Sequence, residues 1–360
     1  AMLGIVVVSY NTSELTIECL RTVAADSLGA SARVWVVDND STDAQKDALR
    51  EGLASIGLAS LELLELSGNV GFAGACNRAI EGLLHDPSID RIALLNNDSA
   101  LVREGLSDWL AFADAHPDAD MFSARMHRMD APELIDSLGI AMYASALASN
   151  RKQLQDRLVG PTGGLAIYSR ALLEAVRDRH GMVFDERFFC YAEDTDLALR
   201  ARLLGFRPAY LDRCVALHWG QASSGGGFSD FVLYHGIRNS IWVIVKDFPL
   251  PWLLALSPLI VALHGGIVLR HGLGGRWRVV WRLYRDAFKG LPGMWRSRRV
   301  IQRSRAISLG AFGQVLTPRF YDRQYLRQAW QQLWRGRVIP PFLTDSKSGV
   351  KQQVPVSASG

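Results

Sequence analysis

Short apolar runs alternate with helical patterns over the first hundred residues, and this alternation constrains the fold more than any other feature. Strand-like runs occupy residues 3–8, 32–37, 61–66 and 91–95, and helical patterns occupy residues 14–24 and about 74–84. The alternation predicts an α/β fold with a mostly parallel sheet covered by helices on both faces. Because ligands of such sheets bind beyond the carboxyl ends of the strands, the segments 9–11, 38–43 and 96–98 are predicted to share one rim.

The pattern becomes less regular in the second part of the chain. Between residues 121 and 158 the periodicity weakens, which predicts loops and short elements. Order returns with Gly-Pro-Thr-Gly-Gly at 160–164, and a helical pattern follows over 195–204. The stretch 221–229 contains three serines and three adjacent glycines, a composition that predicts a mobile loop and a candidate lid.

Composition excludes several classes of protein. A chain of 360 residues with 49% apolar content has enough material for a large core, so disordered, collagen-like and disulfide-scaffold proteins are excluded. The four cysteines have neither C-x-x-C nor zinc-finger spacing, and the first residues have no signal-peptide pattern. A reducing cytoplasm is therefore the expected compartment.

Charge divides the chain into two parts. Up to Asp247 there are 22 Lys and Arg against 33 Asp and Glu, and from Phe248 onward there are 18 against 3. A basic last third beside an acidic remainder predicts that the last third faces something anionic, either a membrane surface or a nucleic acid.

The basic part begins with an uncharged stretch of 22 residues, 248–269. This stretch is long enough to cross a bilayer. It is expected to be interrupted at Pro249, Pro251, Pro258, His264 and the Gly265-Gly266 pair. Residues 270–305 then contain 11 Lys and Arg and one Asp. A single crossing from the cytoplasm would place these charges outside, against the positive-inside bias, so a re-entrant or interfacial segment is predicted.

The residues that follow have the pattern of a helix lying in the headgroup plane of a membrane. The apolar positions that share one helical face are Trp277, Val280, Trp281, Tyr284 and Phe288. The basic positions that lie largely off that face are Arg278, Arg282, Arg285 and Lys289. The pattern predicts an anionic membrane surface as a partner, and the alternative is that the whole last third packs on the rest as ordinary helices.

Several polar motifs have ordinary structural explanations when each is taken alone. Asp38 is well suited to end a strand and cap a helix, and the residues 96–98 are typical of a turn. Asp194 could cap the predicted helix, and Asp196 and Arg200 could pair across one helical face. A lone histidine such as His218 is more often packed than a ligand.

The order of these motifs changes that interpretation. The first four motifs are Ile-Val-Val-Val-Ser-Tyr-Asn at 5–11, Val-Val-Asp-Asn-Asp-Ser-Thr-Asp at 36–43, Asn-Val-Gly-Phe-Ala-Gly-Ala-Cys-Asn at 69–77 and Leu-Leu-Asn-Asn-Asp-Ser at 94–99. The later ones are Gly-Pro-Thr-Gly-Gly at 160–164, Phe-Phe-Cys-Tyr-Ala-Glu-Asp-Thr-Asp-Leu at 188–197 and His-Trp-Gly-Gln-Ala-Ser at 218–223, with Arg-Asn at 238–239. Residues 3–247 resemble the family 2 glycosyltransferases, and the last two motifs resemble their rhamnosyltransferase-like branch.

The resemblance implies a GT-A fold, a Rossmann-like mixed sheet flanked by helices, and an inverting glycosyltransferase. It implies a catalytic domain at 2–247, and the charge and hydropathy patterns predict a helical, basic, membrane-associated region at 248–345 and a disordered tail at 346–360. The donor-binding half of the catalytic domain is expected at about 2–120, and the acceptor-binding and catalytic half at 121–247.

The resemblance also assigns the binding residues. Those implied for the nucleotide-diphospho-sugar donor are Ser9, Tyr10, Asn11, Asp38, Asn69, Gly71, Phe72, Asn77 and Asn97. Those implied for the acceptor are Gly163, Gly164 and Trp219. The glycine turn at 71–74 is expected to allow close backbone approach because glycine has no Cβ.

A divalent cation, Mg²⁺ or Mn²⁺, is the implied cofactor. Asp98 takes the place of the last aspartate of the family's Asp-x-Asp motif, and an oxygen-liganded hard cation there would stabilise the charge of the leaving diphosphate. Asn96 departs from that motif, since an aspartate often stands in its position, so one carboxylate remains. His218 is expected either to complete the metal sphere or to act from outside it.

Asp194 is the general base that the resemblance implies, because an inverting transfer needs one carboxylate near the acceptor hydroxyl. Glu193 and Asp196 lie close in sequence, and repulsion among the three could raise one pKa. Arg200 is expected to orient this cluster. Which of the three carboxylates is the base stays open at this point.

The expected donor is dTDP-L-rhamnose, with a UDP- or GDP-hexose as the alternative. The expected acceptor is a saccharide, free or linked to a polyprenyl diphosphate, in cell-surface polysaccharide synthesis. The protein would then be peripheral on the cytoplasmic face of the cell membrane, and no nucleic acid is expected as a partner.

Two other interpretations of the sequence assign the protein to a different functional class. A nucleotidyltransferase would carry a basic, glycine-rich run after the first strand, where this chain has Ser-Tyr-Asn-Thr. A nucleotide-binding module with a nucleic-acid-binding tail would use the interleaved Trp and Arg to stack on bases. The uncharged stretch before the tail favours a membrane instead.

Overall fold

A nine-stranded mixed sheet organises the chain, in a computed structural model that describes residues 2–220, 229–323, 325–327 and 330. The strands of this sheet are β1 (Met2–Ser9), β2 (Arg33–Asp38), β3 (Leu61–Glu65), β4 (Ile89–Asn96), β5 (Ser99–Leu101), β6 (Met121–Arg128), β7 (Ile135–Ser137), β10 (Leu165–Ser169) and β11 (Pro208–His218). A small second sheet contains β8 (Ile140–Tyr143), β9 (Ala148–Asn150) and β12 (Leu316–Thr317).

Ten α-helices surround the sheets in the described part of the chain. They are α1 (Ser13–Ala25), α2 (Asp43–Ala54), α3 (Gly71–Leu84), α4 (Gly105–Ala115), α5 (Arg170–His180), α6 (Glu193–Leu203), α7 (Asp230–Asp247), α8 (Leu250–Leu273), α9 (Trp277–Arg303) and α10 (Leu309–Gly313). Short 3₁₀ turns lie at Ser27–Ala30 and Glu186–Phe188. The chain divides into two compact units, Ala1–Tyr321 and Asp322–Gly360, and the features below belong to the first.

The strand order in the large sheet is β3-β2-β1-β4-β10-β6-β11-β5, with β7 beside β6. The first four strands are parallel, β10 runs antiparallel between β4 and β6, and β11 is parallel to β6. Side chains alternate between the two faces of each strand. Along β1, Ile5 and Val7 therefore join the core under α1, α2 and α4, whereas Val6 joins the core under α3, α5 and α6. The predicted sheet with helices on both faces is confirmed.

The weakly patterned region at 121–158 contains more structure than its sequence predicts. β6 is an internal strand of the large sheet, between β10 and β11. Its apolar residues Met121, Phe122 and Met126 are buried, but Ser123 and Arg125 break up the apolar run. The signal of a buried strand is therefore diluted, and the prediction of loops and short elements was wrong for β6.

The helical end of the first unit combines one packed helix and one exposed helix. α9 packs along α7, where the Trp242 indole N–H donates to the Ala287 carbonyl at 3.0 Å, and the α9 residues Val280, Leu283 and Ala287 are buried. α8 is the one helix in the described ranges that is long and apolar enough to cross a membrane, and 11% of its most apolar window is buried. The face predicted for residues 277–288 is thus divided, since Val280 is buried while Trp281 has 71% of its surface exposed.

The predicted interruption of the uncharged stretch was wrong, because α8 runs unbroken through Pro258 and the Gly265-Gly266 pair. Proline removes the backbone donor that would reach the carbonyl of Leu254, four residues earlier. The Ser257 hydroxyl donates to that carbonyl instead, at 2.7 Å. The candidate lid at 221–228 and the tail at 346–360 lie outside the described residues.

Candidate active site

The first part of the rim is formed where β1 and β2 end. Ser9 and Asp38 are paired in register across the two strands, and both are buried. The Oδ1 atom of Asp38 accepts a hydrogen bond from the backbone N–H of Ser41 at 3.0 Å. Its Oδ2 atom is buried and has no hydrogen-bond partner among the described residues. Buried carboxylate oxygens are normally paired, so this atom is available to a ligand donor at the rim.

Asn11 ties the end of β1 to the turn that follows β2. Its backbone N–H donates to the Ser41 hydroxyl at 2.8 Å, and its side-chain oxygen accepts from the N–H of Thr42 at 2.9 Å. Asn11 has a φ of 53°, a left-handed conformation that asparagine tolerates better than most residues. The neighbouring Tyr10 is 40% exposed and stands at the open side of the rim.

Asn69 and Gly71 lie at the start of α3 and contact neighbouring residues of the chain. The Asn69 side-chain oxygen accepts from the Gly71 N–H at 2.9 Å and from the Asn39 side chain at 3.1 Å. Gly71 has a φ of 75°, and a Cβ on it would lie 2.3 Å from the Phe189 carbonyl oxygen. The close approach that this glycine permits is therefore to the segment before α6. The organising role of Asn39 was missed, although it lies inside the motif at 36–43.

The side chains of Asn77 and Asn97 also make hydrogen bonds to other residues of the chain. Asn77 exchanges hydrogen bonds with the backbone of Phe184, at 2.9 Å in both directions. Asn97 donates to the Thr12 and Thr16 hydroxyls at 2.7 and 3.0 Å, which attaches the end of β4 to α1. Phe72 lies near Asp194, because a Cβ on Gly163 would lie 3.3 Å from the Phe72 ring and 3.4 Å from the Asp194 Cβ atom.

Asp98 and His218 are neighbours, as the predicted metal pair requires. The Asp98 Oδ1 atom lies 3.1 Å from the His218 Nε2 atom, and the other ring nitrogen lies 2.9 Å from the Asp136 Oδ2 atom. Burial disfavours the charged imidazole, but its hydrogen bonds to Asp136 and Asp98 raise the pKa of His218 to about 9. Asp136 was missed by the sequence analysis because it lies in the weakly patterned region.

Two of the predicted acceptor residues lie beside this pair. Trp219 is 55% exposed, and its backbone N–H donates to the Asp98 carbonyl at 3.1 Å. Gly164 accepts a hydrogen bond from the Asn96 N–H, and a Cβ on it would lie 2.8 Å from the Asn96 side-chain nitrogen. Asn96 in turn lies 3.2 Å from the His218 Nε2 atom. Gly164 therefore leaves room for the amide that replaces the family's aspartate.

Asp194 is held by backbone donors at the start of α6. Its Oδ2 atom accepts from the Gly163 N–H at 2.8 Å, and its Oδ1 atom accepts from the Thr195 N–H at 2.6 Å. Burial raises the pKa of Asp194, and these hydrogen bonds partly oppose the shift. Gly163 thus orients the carboxylate predicted to be the base.

The structure separates the three neighbouring carboxylates. Asp194 and Glu193 both line a cavity of about 240 Å³ between α6, α7 and the β8–β9 hairpin. Glu193 is 5% exposed, and burial followed by the charge of Asp194 raises its pKa well above the usual range. Asp196 is fully buried and pairs with Arg200 at 2.8 Å, so neither of these two lines the cavity.

Asp196 and Arg200 belong to a buried charge network beneath the cavity. Lys246 of α7 lies 2.6 Å from both Asp185 and Asp196, and its side chain has no exposed surface. Arg200 also donates to the Met182 carbonyl at 3.2 Å. Because removing one partner of a buried ion pair strands the other charge, this network fixes α6 against α7.

The segment before Glu193 has an unusual backbone. Phe189, Tyr191 and Ala192 have φ values of 66°, 71° and 64°. Such conformations cost about 1–3 kcal/mol each outside glycine and persist where surrounding contacts fix them. The side-chain amide of Asn239 supplies those contacts, since its Nδ2 atom lies 2.9, 2.8 and 2.7 Å from the carbonyls of Phe188, Cys190 and Tyr191.

Arg238 completes this clamp. Its Nε and Nη2 atoms donate to the Asn239 side-chain oxygen at 2.9 and 2.8 Å, and Nη2 also donates to the Phe188 carbonyl at 3.0 Å. The guanidinium lies 4.4 Å from the centre of the Trp242 ring. The Arg-Asn motif quoted from the sequence is therefore a backbone clamp on the segment that leads to Asp194.

Comparison with known proteins gives the class. Residues 4–177 match glycosyl transferase family 2. The fold is similar to that of TarS residues 1–349 from S. aureus, with a TM-score of 0.52, 18% identity and coverage of 84% of this chain and 91% of that one. It is also similar to a mannosyltransferase from Pyrobaculum calidifontis in complex with GDP-Man and Mn²⁺, with a TM-score of 0.51, 18% identity and coverage of 86% and 85%.

The fold and the site therefore define a glycosyltransferase with a GT-A fold. An N-acetylglucosaminyl-diphospho-decaprenol L-rhamnosyltransferase from Mycobacterium tuberculosis (strain CDC 1551 / Oshkosh) is 26% identical in an alignment 271 residues long, and the alignment covers 67% of this chain and 82% of that protein. The family match over residues 4–177 and this relative together support a family 2 glycosyltransferase of the rhamnosyltransferase-like kind.

Proposed function

We propose that the protein is an inverting rhamnosyltransferase that moves L-rhamnose from dTDP-L-rhamnose to a hydroxyl of a lipid-linked saccharide. The observation that carries this proposal is the position of Asp194, which lines the cavity while the Gly163 N–H holds its carboxylate at 2.8 Å. The similarity to a rhamnosyltransferase supports the donor sugar.

The donor occupies the rim formed by β1, β2 and β4 in this proposal. The unpartnered Oδ2 atom of Asp38 accepts a donor N–H or O–H from the nucleoside, and the exposed Tyr10 ring lies beside it. Asn11, Asn69, Asn77 and Asn97 shape the rim through their bonds to the backbone and to α1. Together these residues are proposed to bind the nucleoside of the donor. A UDP- or GDP-hexose is the alternative donor.

Asp98 and His218 are the residues that would hold a divalent cation, and they fit this task in part, because the Nε2 atom of His218 must first lose the proton that its hydrogen bond to Asp98 favours. A carboxylate oxygen and an imidazole nitrogen lie 3.1 Å apart, and Asp136 orients the ring as a second partner. The described residues contain no cluster of three His, Cys, Asp or Glu that could hold an ion alone, so the donor diphosphate would supply further oxygens. Bound there, the cation would stabilise charge on the leaving diphosphate.

The proposed reaction is a single displacement. The acceptor hydroxyl loses its proton to the Asp194 carboxylate while its oxygen forms a bond to the anomeric carbon. The bond between that carbon and the diphosphate oxygen breaks, and the nucleoside diphosphate leaves with the electron pair. A raised pKa, caused by burial, brings Asp194 nearer to the pH at which a general base works best.

We further propose that residues 248–345 attach the enzyme to the inner face of the cell membrane, beside the catalytic part at 2–247. α8 exposes Leu254 and Val261, with 64% and 71% of their surface accessible, and α9 exposes Trp277 and Trp281. The excess of basic residues from Phe248 onward fits an anionic surface, where each contributes about 1 kcal/mol.

A thermal-shift panel tests the donor proposal. dTDP and dTDP-L-rhamnose should stabilise the protein more than UDP or GDP compounds, since a ligand that binds the folded state stabilises it by mass action. Asp98→Ala should lose the Mg²⁺- or Mn²⁺-dependent part of this shift and about 10²-fold or more of the transfer rate. Full transfer by Asp98→Ala in the presence of a chelator would contradict the metal assignment.

A vesicle-binding assay tests the membrane proposal separately. Arg278→Glu with Lys289→Glu should weaken sedimentation with vesicles that contain phosphatidylglycerol, more strongly at low salt. The charge-matched control is the double variant Arg21→Glu with Arg103→Glu, two exposed arginines outside residues 248–345. Equal binding by the double variant and the control would contradict the proposal without affecting the donor result.

A further inference from the structure

A groove between the start of α8 and the end of α9 collects basic side chains and takes no part in the proposed reaction. Its volume is about 480 Å³, and it shares no lining residue with the cavity beside Asp194. No Asp or Glu of the described chain lines it, whereas four arginines do: Arg298, Arg299, Arg303 and Arg305. A groove with this composition attracts an anion.

Three of these arginines have no acidic partner that would explain them. Arg299 and Arg303 are exposed, and neither makes a salt bridge or a hydrogen bond to a described residue. They lie four residues apart on α9, a spacing at which like charges repel each other. Arg305 donates to the Ile307 carbonyl at 3.1 Å and forms no salt bridge within the described ranges. An anion in the groove would relieve this repulsion.

Arg298 is the fourth arginine, and it is buried. It is 6% exposed, and its Nη1 atom donates to the carbonyls of Val245 and Phe248 at 2.8 and 2.6 Å. Its Nε and Nη2 atoms have no hydrogen-bond partner among the residues that the structure describes. Burial raises the pKa of the neighbouring Asp247 well above its ordinary value, so that carboxyl supplies little negative charge. The two free nitrogens form the fork with which arginine binds a phosphate through two hydrogen bonds.

The groove is also apolar at its edges. Leu250, Trp295 and Leu309 line it, and all three are exposed. An inorganic anion would leave these side chains in water, whereas a lipid would cover them with its carbon atoms. The first residues of α8 lie here, and the positive end of that helix dipole adds to the attraction for a phosphate. The groove therefore fits an amphiphile with a phosphate headgroup.

We propose that this groove binds the headgroup of an anionic bilayer lipid that carries two phosphates, as cardiolipin does. The inference rests on the proposed membrane attachment and specifies the lipid that the attached protein recognises. The free fork of Arg298 binds one phosphate, and Arg299 and Arg303 bind the other. The glycerol and acyl carbons cover Leu250 and Trp295. Two phosphates match the groove better than one, because its four guanidinium groups have no carboxylate beside them in the lining.

Vesicles of equal charge test the proposal on the full chain. One set of phosphatidylcholine vesicles contains cardiolipin, and the other contains twice the molar amount of phosphatidylglycerol, so the total charge of the two sets is the same. The wild type should bind the cardiolipin vesicles about 10-fold or more tightly, because a headgroup site adds charge-assisted hydrogen bonds to the general attraction of a basic surface. Equal binding to the two sets would overturn the proposal.

Two variants of α9 test the location. Arg299→Gln with Arg303→Gln should remove the preference for cardiolipin, and both side chains are exposed, so the fold should persist. The matched control is Arg278→Gln with Lys289→Gln, two exposed cations of the same helix that do not line the groove. The control should weaken binding to both sets alike and keep the preference. An undiminished preference in the Arg299 and Arg303 variant would contradict the assignment to this groove.

Inorganic pyrophosphate distinguishes a lipid site from a site for a free phosphate compound. Suppose that pyrophosphate raises the Tm of the wild type, that the Arg299 and Arg303 variant loses this shift, and that neither protein prefers cardiolipin. The groove would then bind free phosphate compounds, and the lipid assignment would be wrong.

The outcomes also separate this inference from the proposed function. Vesicle binding without a preference for cardiolipin would overturn the headgroup site and leave the membrane attachment supported. A wild type that binds neither set would contradict the attachment as well. The thermal shift with dTDP-L-rhamnose reports on the donor site and does not depend on either result.

Discussion

The donor rim and the acceptor cavity are built in different ways. Ser9 and Asp38 lie where parallel neighbours of the large sheet end, so the topology of the sheet places them at one edge. Asp194 instead follows a left-handed segment that no strand positions, and Asn239 of α7 holds that segment from outside. Short local motifs therefore specify the proposed donor side, whereas the proposed acceptor side depends on helices much later in the chain.

Asp194→Asn tests whether the two sides act in separate steps, and it has the largest expected effect. The amide keeps the size of the side chain but cannot take the acceptor proton, and a general base commonly contributes about 10²–10⁴-fold. Transfer should fall by that factor while the dTDP-L-rhamnose thermal shift stays near the wild-type value. The control is Asp178→Asn at the exposed end of α5. Wild-type transfer rates in folded Asp194→Asn would refute the role.

Lys246→Met tests how far the acceptor side depends on buried charge. Lys246 is fully buried between Asp185 and Asp196, and removing one partner of such a network typically destabilises a protein by about 3–5 kcal/mol. The free energy of unfolding in urea should fall by this amount. Arg21→Met, which removes an exposed ion pair with Glu18, should change it little. Equal losses in the two variants would contradict a special role for the network.

The difference between the two sides also explains what could be predicted from the sequence. The strands that end at Ser9 and Asp38 have continuous apolar runs, and their alternation with helical segments predicts the shared rim. The pairing of Lys246 with Asp185 and Asp196 joins residues far apart in the chain, and no local pattern encodes it. The sequence therefore predicted the three acidic neighbours together, and only packing separates Asp196 from Asp194.

The helical end shows the same limit. The apolar face of residues 277–288 was predicted from its period, but period cannot tell whether a face packs on a neighbouring helix or stays exposed. Val280 is buried and Trp281 is exposed, and the contact of α9 with α7 could not be predicted from the period of α9. Likewise, the hydroxyl of Ser257 satisfies the carbonyl that Pro258 leaves free, a compensation that a count of prolines does not reveal.

Asn239→Ala should release the left-handed segment before Glu193 and leave the proposed donor rim unchanged. The carbonyls of Phe188, Cys190 and Tyr191 would lose the Asn239 amide, although Arg238 still donates to Phe188, and losing the hydrogen bonds of a buried amide costs about 1–3 kcal/mol of stability. Because the left-handed segment would relax, we expect kcat to fall about 10-fold or more, a displacement effect that can reach 10²-fold. The KM for dTDP-L-rhamnose should change little.

Asn239→Asp is the matched variant for this clamp. It keeps the oxygen that accepts from Arg238 but replaces the donating amide with a carboxylate that repels the three carbonyls. It should therefore lose kcat as Asn239→Ala does. Normal kcat in both variants, with stability alone reduced, would make Asn239 a purely structural residue.

The two sides also differ in how their histidines respond to pH. Hydrogen bonds to Asp136 and Asp98 overcome burial and raise the pKa of His218 on the donor rim to about 9. Burial, followed by the charge of Arg200, lowers the pKa of His180, at the end of α5, to about 4. Protonated His218 therefore stabilises the folded state below pH 6.5, and this contribution is lost as pH rises through 9. His180 instead reduces the stability of the folded state as pH falls from 6.5 toward 4.

Acid unfolding of a His180→Gln variant tests this last difference, and its effect should be the smallest. The neutral ring of His180 lies 2.9 Å from the Ser304 hydroxyl beyond α9, and glutamine can keep a hydrogen bond there. The unfolded chain binds a proton near pH 6.5 but the folded chain only near pH 4, so the free energy of unfolding falls as pH drops through this window. Solvent screening reduces the full effect, and we expect a wild-type loss on the order of 1–2 kcal/mol that the variant does not show. Urea unfolding at pH 7 and pH 4, with His116→Gln on the donor side as the control, measures it. Parallel acid sensitivity in the wild type and His180→Gln would show that the attachment of α9 to α5 does not depend on this histidine.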